Sequence, residues 1–443
     1  MATYLYRTFS TATNRKIWTW SGWIKRTNFV TDHQNALFGC YYNGSNRSVI
    51  RFNEHRLQFQ DSGNSVDVQT TRKFRDPNGW YHIVARVDTT QSTASDRVRL
   101  YVNGVQETVF DTSNYPGQNI NMEFQGAVVH YINARREGGG AIDSIASMIY
   151  SHVHFSDGQS LAPTVFGSTD STTGEWKINT NPSFTLGTNG FTILKDGNTY
   201  TDQSSNSNNW TLAGSTGLIS KTEDNPSNVF ATWNTLAQTL SSITYSNGNT
   251  VATMTGDVGQ RQSISTLGMD SGKFYMECKL QAIGSTGGSY PYIGIVAQEK
   301  YDADTYLGGN GCGWHPTGDI YNGGSNSSTG STYTTGDIIG VAVDVTNSKL
   351  YFHKNGTYIT IGGYTQNPST GSYGFDISAR TAEGTLGFGV SSWNNSGIWQ
   401  VNFGNGYFGT TQITSEGTNA SGIGKFEYDV PTGYTALSTK GLN

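Results

Sequence analysis

The feature that most constrains this chain is a short phrase that occurs once in each half. In the first half a segment ending in Val87-Asp88 is followed by Val98-Arg99-Leu100-Tyr101-Val102-Asn103-Gly104-Val105-Gln106. In the second, a segment ending in Val343-Asp344 is followed by Lys349-Leu350-Tyr351-Phe352-His353-Lys354-Asn355-Gly356-Thr357-Tyr358-Ile359. Alternation of apolar and polar residues marks a strand with one buried face. Asn-Gly between two such segments marks a two-residue hairpin, because the favoured turn needs positive φ at both central positions. The chain therefore uses the same antiparallel unit twice. The loops between the matching pieces differ in length, which excludes a short-period solenoid.

Composition extends this to the whole chain. Its 443 residues exceed what one core ordinarily organises, which points to two domains and a connector. Tyr (25), Phe (20), Trp (10) and Gly (55) are abundant, and runs of strong helix formers are missing. Aromatic residues suit a pleated, half-buried surface, and Gly and Asn suit tight turns. Many short strands without intervening helical patterns predict an all-β fold of two consecutive antiparallel sandwiches. Ile17-Trp18-Thr19-Trp20-Ser21-Gly22-Trp23-Ile24 places Trp18 and Trp20 on one strand face, and all three tryptophans read as core. We expect one sandwich over residues 1–200, a Ser/Asn-rich connector over 201–235 and a second sandwich over 236–443. Trp210, Leu212, Phe230 and Trp233 in the connector should anchor it on one module.

Several function classes are disfavoured. The net charge is -5 and the densest basic group, Arg72, Lys73 and Arg75, is too small to track phosphates, so no nucleic-acid partner is expected. Cys40, Cys278 and Cys312 are odd in number and form no CxxC pair. The start, MATYLYRTFSTATNRK, has no apolar signal core, and no apolar run approaches about 18 residues, so no export signal or membrane insertion is expected.

Particular segments resemble known modules. Arg15 to Arg26, Phe74-Arg75-Asp76-Pro77 with Trp80-Tyr81-His82-Ile83-Val84, Leu100-Tyr101-Val102-Asn103-Gly104 and Ile145 to Gln159 are similar to the laminin G-like, concanavalin A-like module common in phage structural proteins. Ser271 to Cys278, Tyr292-Ile293-Gly294-Ile295-Val296, Asp337 to Val341, Tyr351-Phe352 with Lys354-Asn355-Gly356, and the tail from Val401 to Leu437 resemble an SPRY domain. The module order resembles virion proteins of tailed phages, particularly those of marine hosts and cyanobacteria. The resemblance implies a non-catalytic virion protein, a tail fibre or a head fibre or decoration, assembled in the host cytoplasm. It would contact other virion proteins and a host-surface glycan or receptor, as a homo-oligomer, by symmetry a trimer. The alternatives are a free carbohydrate-binding adhesin and a polysaccharide-degrading enzyme.

Glycoside hydrolases of this fold resemble one another in carrying Glu-x-Asp-x-x-Glu, which sets acid and nucleophile ~5–5.5 Å apart. That motif is missing, and Glu175, Glu277 and Glu383 have no acidic partner at strand spacing, so no enzyme is expected. His152-Val153-His154 sets two imidazoles at i and i+2, and Cys312 lies near His315, but neither pair has the further ligands that zinc needs. No motif names a cofactor. Calcium is the ion a laminin G-like module would hold, with Asp61, Asp111, Asp143, Asp302 and Asp304 as unranked oxygen donors. The candidate ligand-binding residues are Trp314, His315, Tyr321, Asn322 and Trp393, in or near glycine-rich loops of the second half, where rings could stack on a sugar or anchor a protein contact. The competing reading buries Trp314 and Trp393.

Overall fold

The computed structural model describes residues 3–27, 29, 34–137, 139–195, 197, 199–215, 219–237, 243–254, 259–283, 291–393 and 397–443. Strand takes up 46% of the chain and helix 5%, so the fold is all-β. The chain forms two compact units, Met1–Lys221 and Thr222–Asn443. Among the described residues no helix is long and apolar enough to cross a membrane.

The first unit is a sandwich of an eight-stranded and a six-stranded sheet. The larger runs Phe110–Asn114, Val66–Lys73, Arg56–Asp61, Arg47–Asn53, Asn35–Tyr41, Val129–Ile132, Thr3–Thr8, Thr211–Gly214. The smaller runs Phe191–Ile193, Met148–Asp157, Ile17–Arg26, Trp80–Asp88, Val98–Val102, Val105–Gln106. Pairing between these strands is antiparallel throughout, so each can bury alternate residues between the sheets. Trp18, Trp20 and Ile24 do so, together with Phe38, Phe59, Phe124 and Phe155. Gly22 shares that inward face, where a Cβ would lie 2.8 Å from the Trp20 ring; its bareness makes room for the indole. Trp23 points to the opposite face and is buried there against His82, with ring centroids 4.8 Å apart. All three tryptophans are buried, but on two different faces.

The second unit pairs a nine-stranded with a six-stranded sheet. The spine of the first is Ile243–Ser246, Val251–Met254, Ile398–Asn402, Lys273–Ala282, Ile338–Asp344, Lys349–Lys354, Thr357–Tyr358. Phe375–Asp376 pairs with Lys349–Lys354, and Thr435–Ala436 lies parallel to Lys273–Ala282. The second sheet runs Gln260–Ile264, Leu386–Trp393, Tyr292–Ala297, Gly311–Trp314, Asp319–Asn322, Ser325–Ser328. Trp233, Trp314, Trp399, Phe388 and Phe403 fill the space between them. Each such fully buried side chain contributes about 1.5–3 kcal/mol relative to exposure.

Both Asn-Gly hairpins form. Asn103 and Gly104 have φ of 49° and 77°, and Asn355 and Gly356 have 48° and 82°. These are the left-handed positions that the two-residue turn demands. In each, the Asn side chain accepts a backbone N–H from the neighbouring strand, His82 in one unit and Ile338 in the other, both at 2.8 Å.

The segment 201–235 is divided between the units. Trp210 and Leu212 pack on the first core, where Thr211–Gly214 pairs with Thr3–Thr8. Phe230 and Trp233 are buried in the second unit. The four anchors therefore do not share one module. Two serve each: Trp210 and Leu212 the first, Phe230 and Trp233 the second.

Candidate ligand-binding face of the second sandwich

Strand geometry sorts the predicted site residues. In Gly311–Trp314 the side chains of Cys312 and Trp314 point into the core. Trp314 has no exposed surface, packs on Tyr333 at 4.8 Å and Phe352 at 5.7 Å, and donates its Nε1–H to the Ser331 carbonyl at 3.1 Å. Its reading as a ligand-stacking ring is thereby corrected: alternation turns it inward. Cys312 shares that inward face, and burial raises its thiol to about 12.

His315, Tyr321 and Asn322 lie nearer the surface. His315 is 5% exposed; its ring meets Tyr292 at 4.9 Å and Tyr321 at 6.1 Å. Its Nδ1 lies 2.6 Å from the Thr317 hydroxyl, and burial lowers its pKa against the pull of Asp319. Tyr321 is half-buried and stands edge-on to Tyr292 at 5.4 Å and Tyr306 at 6.4 Å. Asn322 is also half-buried, and its Nδ2 donates to the Asp376 carbonyl at 3.2 Å, so it anchors a turn. Trp393 is 37% exposed and ends the strand Leu386–Trp393. Leu386, Phe388 and Val390 of that strand enter the core, so Trp393 lies on the opposite, outward face. Ser391, on the same face, is the register partner of Tyr292.

What assembles on this outward face is a cluster of Tyr292, Tyr306, Tyr321 and His315 around the one-turn helix Leu307–Asn310. The helix is tied down by Leu307 N–H to Ser391 Oγ at 3.0 Å, and by reciprocal amide bonds between Asn310 and Gln262 at 3.0 and 3.2 Å. Gly308 is required there, since a Cβ would sit 2.5 Å from Tyr321 Cβ. Sequence reasoning missed Tyr292, Tyr306 and Gln262. They come from separate strands and loops, and only the glycine cluster at 308–313 hinted at close packing. The face offers half-buried phenol rings and amides, a surface suited to stacking and hydrogen bonding.

The acidic and imidazole groups are otherwise engaged. Glu277, on Lys273–Ala282, accepts the backbone N–H of Tyr428 (2.7 Å) and Glu427 (2.8 Å), the Tyr275 hydroxyl (3.0 Å) and Asn402 Nδ2 (3.3 Å). Burial pushes its carboxyl up to about 7 despite these four donors. Tyr275 in turn meets His353 Nε2 at 2.6 Å, while His353 Nδ1 accepts the Gly356 N–H at 3.1 Å. The backbone donor leaves the imidazole proton on Nε2, so the relay runs from His353 through Tyr275 to Glu277. Glu383 pairs with Arg380 at 3.0 Å, and Glu175 is exposed.

In the first unit, His82 Nδ1 accepts from Trp176 Nε1 at 3.0 Å, so its Nε2–H faces Ser21 Oγ at 2.9 Å. Burial lowers its pKa to about 3. His152 and His154 have ring centroids 6.3 Å apart. His152 sits at a bulge with φ of 48° beside the Ser151 hydroxyl, while His154 bonds Thr192 and stacks on Phe166. The aspartates considered for calcium have other partners. Asp61 accepts from Asn64 and from the Glu123 N–H, Asp111 pairs with Arg56, Asp143 with Arg135, and Asp302 accepts the Asp304 N–H. Among the described residues no group of three or more His, Cys, Asp or Glu is placed to hold a metal ion.

Residues 3–147 match the laminin G family described as the concanavalin A-like lectin/glucanases superfamily. No curated protein matches the chain. Among solved structures, the SPRY domain of human HERC1 is similar at 18% identity and a TM-score of 0.28, over 36% of this chain and 91% of that one. A second human SPRY domain is similar at 19% identity and a TM-score of 0.26, over 36% and 94%. The stonustoxin structure is similar at 15% identity and a TM-score of 0.28, over 39% of this chain and 27% of that one. Within the N-terminal unit, residues 3–147 are thus similar to a laminin G-like, concanavalin A-like module.

Proposed function

We propose that this chain is a non-catalytic binding protein of a phage particle, a tail fibre or head decoration, whose second sandwich contacts a host-surface glycan or receptor. The observation that carries the binding reading is the outward tyrosine face, where Tyr306 and Tyr321 are half-exposed over a backbone fixed by Ser391, Gln262 and Asn310. Rigid aromatic surface of this kind gives contact area at small entropic cost. The family matched over residues 3–147 takes in lectins and glucanases alike, so the binding reading rests on this face of the second unit. Glu277 speaks against the hydrolase alternative, because both its oxygens are occupied by donors from its own chain. The virion assignment rests on the resemblance in module order.

Immunogold electron microscopy of purified particles tests the virion reading; a chain absent from particles would refute it. Tyr306→Ala and Tyr321→Ala should weaken adherence of the isolated protein to host cells. Release of new reducing ends from host polysaccharide would favour the enzyme instead.

A further inference from the structure

A second aromatic feature lies in the same unit, in the lobe between Lys354 and Asp376. Tyr364 and Tyr373 are 58% and 52% exposed, and their rings stack at 4.8 Å with 9° between planes. Two tyrosines that cover each other and still present this much surface are unusual in a monomer's exterior, where large apolar groups tend to be scattered singly. The pair is also held rigidly. Tyr364 lies in the hairpin Thr360–Ile361 with Tyr364–Thr365, two residues before Gln366. The Gln366 amide is buried against the strand Lys349–Lys354, accepting Phe352 N–H at 2.8 Å and facing the Leu350 carbonyl at 3.4 Å. Tyr373 follows a tight loop closed by mutual backbone bonds between Asn367 and Ser372, at 3.0 and 2.9 Å. It precedes Gly374, where a Cβ would fall 2.5 Å from the Tyr351 ring. Its φ is 59°, a region that bulky residues rarely enter, so the ring is kept where glycine would relax the backbone. Conformational cost of this kind collects at ligand-binding sites.

The chemistry around the pair selects the ligand. From Asn355 to Phe375 the chain has no Asp, Glu, Lys, Arg or His, and Thr365, Asn367, Ser369 and Thr370, close in sequence to the two tyrosines, are exposed. Asp376, at the boundary, is paired with Lys349. An anionic polymer would call for guanidinium or ammonium groups. A neutral sugar needs what is present: an aromatic face for its C–H groups, with hydroxyl and amide partners at the rim. We infer that Tyr364 and Tyr373 form a stacking site for a neutral glycan, distinct from the Tyr306/Tyr321 face. This rests on the binding reading above and specifies its ligand class.

The test is affinity electrophoresis of the full chain in gels containing dextran, galactomannan or starch, with alginate as the anionic control. The wild type should be retarded by at least one neutral polymer and not by alginate. Tyr364→Ala and Tyr373→Ala should each weaken that retardation by about tenfold, the scale of one lost stacking contact. Tyr364→Phe and Tyr373→Phe should retain it. Tyr373→Gly should lose binding while raising the thermal midpoint, since glycine suits the positive φ; this separates loss of the ring from loss of folding. A wild type that binds no neutral polymer, or alanine variants that bind as the wild type does, would overturn the assignment. If Tyr306→Ala and Tyr321→Ala abolish glycan binding instead, this site falls and the binding reading stands. Cell adherence that survives enzymatic removal of surface glycan yet is lost in Tyr364→Ala would make the partner a protein and also overturn it. A chain that binds neither glycan nor cells would defeat both readings.

Discussion

The two sandwiches repeat one hairpin and cover it in different ways. In each, Leu100 or Leu350 points inward and Tyr101 or Tyr351 outward, and an aromatic ring from a covering segment lies over the turn glycine. A Cβ on Gly104 would meet Trp176 at 2.4 Å, and one on Gly356 would meet Tyr428 at 2.7 Å. Beneath each cover is a buried, neutral histidine, His82 in one unit and His353 in the other, both with pKa lowered to about 3. The difference lies at the end of each hydrogen-bond chain. His82 is bracketed by Trp176 and Ser21, both neutral. His353 leads through Tyr275 to the Glu277 carboxyl, which also clamps the backbone of residues 427 and 428. The same supersecondary unit thus carries a neutral junction in one sandwich and a titrating one in the other.

Acid should separate the units by the largest margin. In the first, His82, His130 and His154 are all buried, and desolvation holds their pKa far below 6.5. Unfolded histidine takes up a proton below 6.5 while the folded rings do not, so this stability is present above 6.5 and is lost as pH falls toward 3. At about 1.4 kcal/mol per group and pH unit, three groups remove on the order of 5 kcal/mol between pH 6.5 and 5. Asp61 and Glu123, raised by burial, oppose part of this. In the second unit His353 and His315 act in the same sense, but Glu277 acts in the other. Its folded carboxyl keeps a proton up to about 7, whereas the unfolded one loses it near 4.5, so its contribution is lost as pH rises through that window. Pulse proteolysis in urea at pH 7 and 5, with fragments assigned by mass, should show the first unit losing more. Equal losses would break the comparison.

Glu277→Ala comes next. It strands two backbone N–H groups and the Tyr275 hydroxyl, while Asn402 Nδ2 keeps the Lys425 carbonyl at 2.8 Å, and should cost the second unit about 3–5 kcal/mol. Across a unit of this size that is roughly a 10 °C lower midpoint. Hydrogen exchange should speed up in peptides covering 273–282 and 416–434 and stay unchanged in the first unit.

How much of this was legible in the sequence follows from the range of each interaction. The hairpins were, because Asn-Gly chemistry is local and the strands on either side alternate within a few residues. The outward or inward sense of Trp314 was not, since Gly311-Cys312-Gly313-Trp314-His315 reads equally as a loop or as a strand. Glu277 looked isolated because its partners, at 402, 427 and 428, are between 125 and 151 residues away. The tyrosine face escaped for the same reason: Tyr292, Tyr306 and Tyr321 sit on separate elements, and only the folded sheet brings them together. The segment 201–235 was readable as a break, but composition carries no signal for which core each tryptophan joins.

The turn glycines should give a smaller effect that sharpens the equivalence. Gly104→Ala and Gly356→Ala each place a Cβ at positive φ and against an aromatic ring, for about 2 kcal/mol apiece. Similar losses by urea denaturation would show that the two covers press on their hairpins alike. A loss confined to one unit would show that only one cover is rigid.

Trp176→Phe should have the smallest effect, about 1 kcal/mol, and distinguishes the two junctions most directly. The substitution keeps a ring over Gly104 but removes the donor to His82 Nδ1. That donor is what fixes the proton on Nε2, since an indole N–H can only donate. Nitrogen NMR should therefore report the Nε2–H tautomer for His82 in the wild type and a mixture in Trp176→Phe. Tyr428→Phe is the matched change in the other unit, and it should leave the His353 tautomer as it was. There the Gly356 backbone N–H holds Nδ1, so no side chain of the cover is needed to orient the relay toward Glu277.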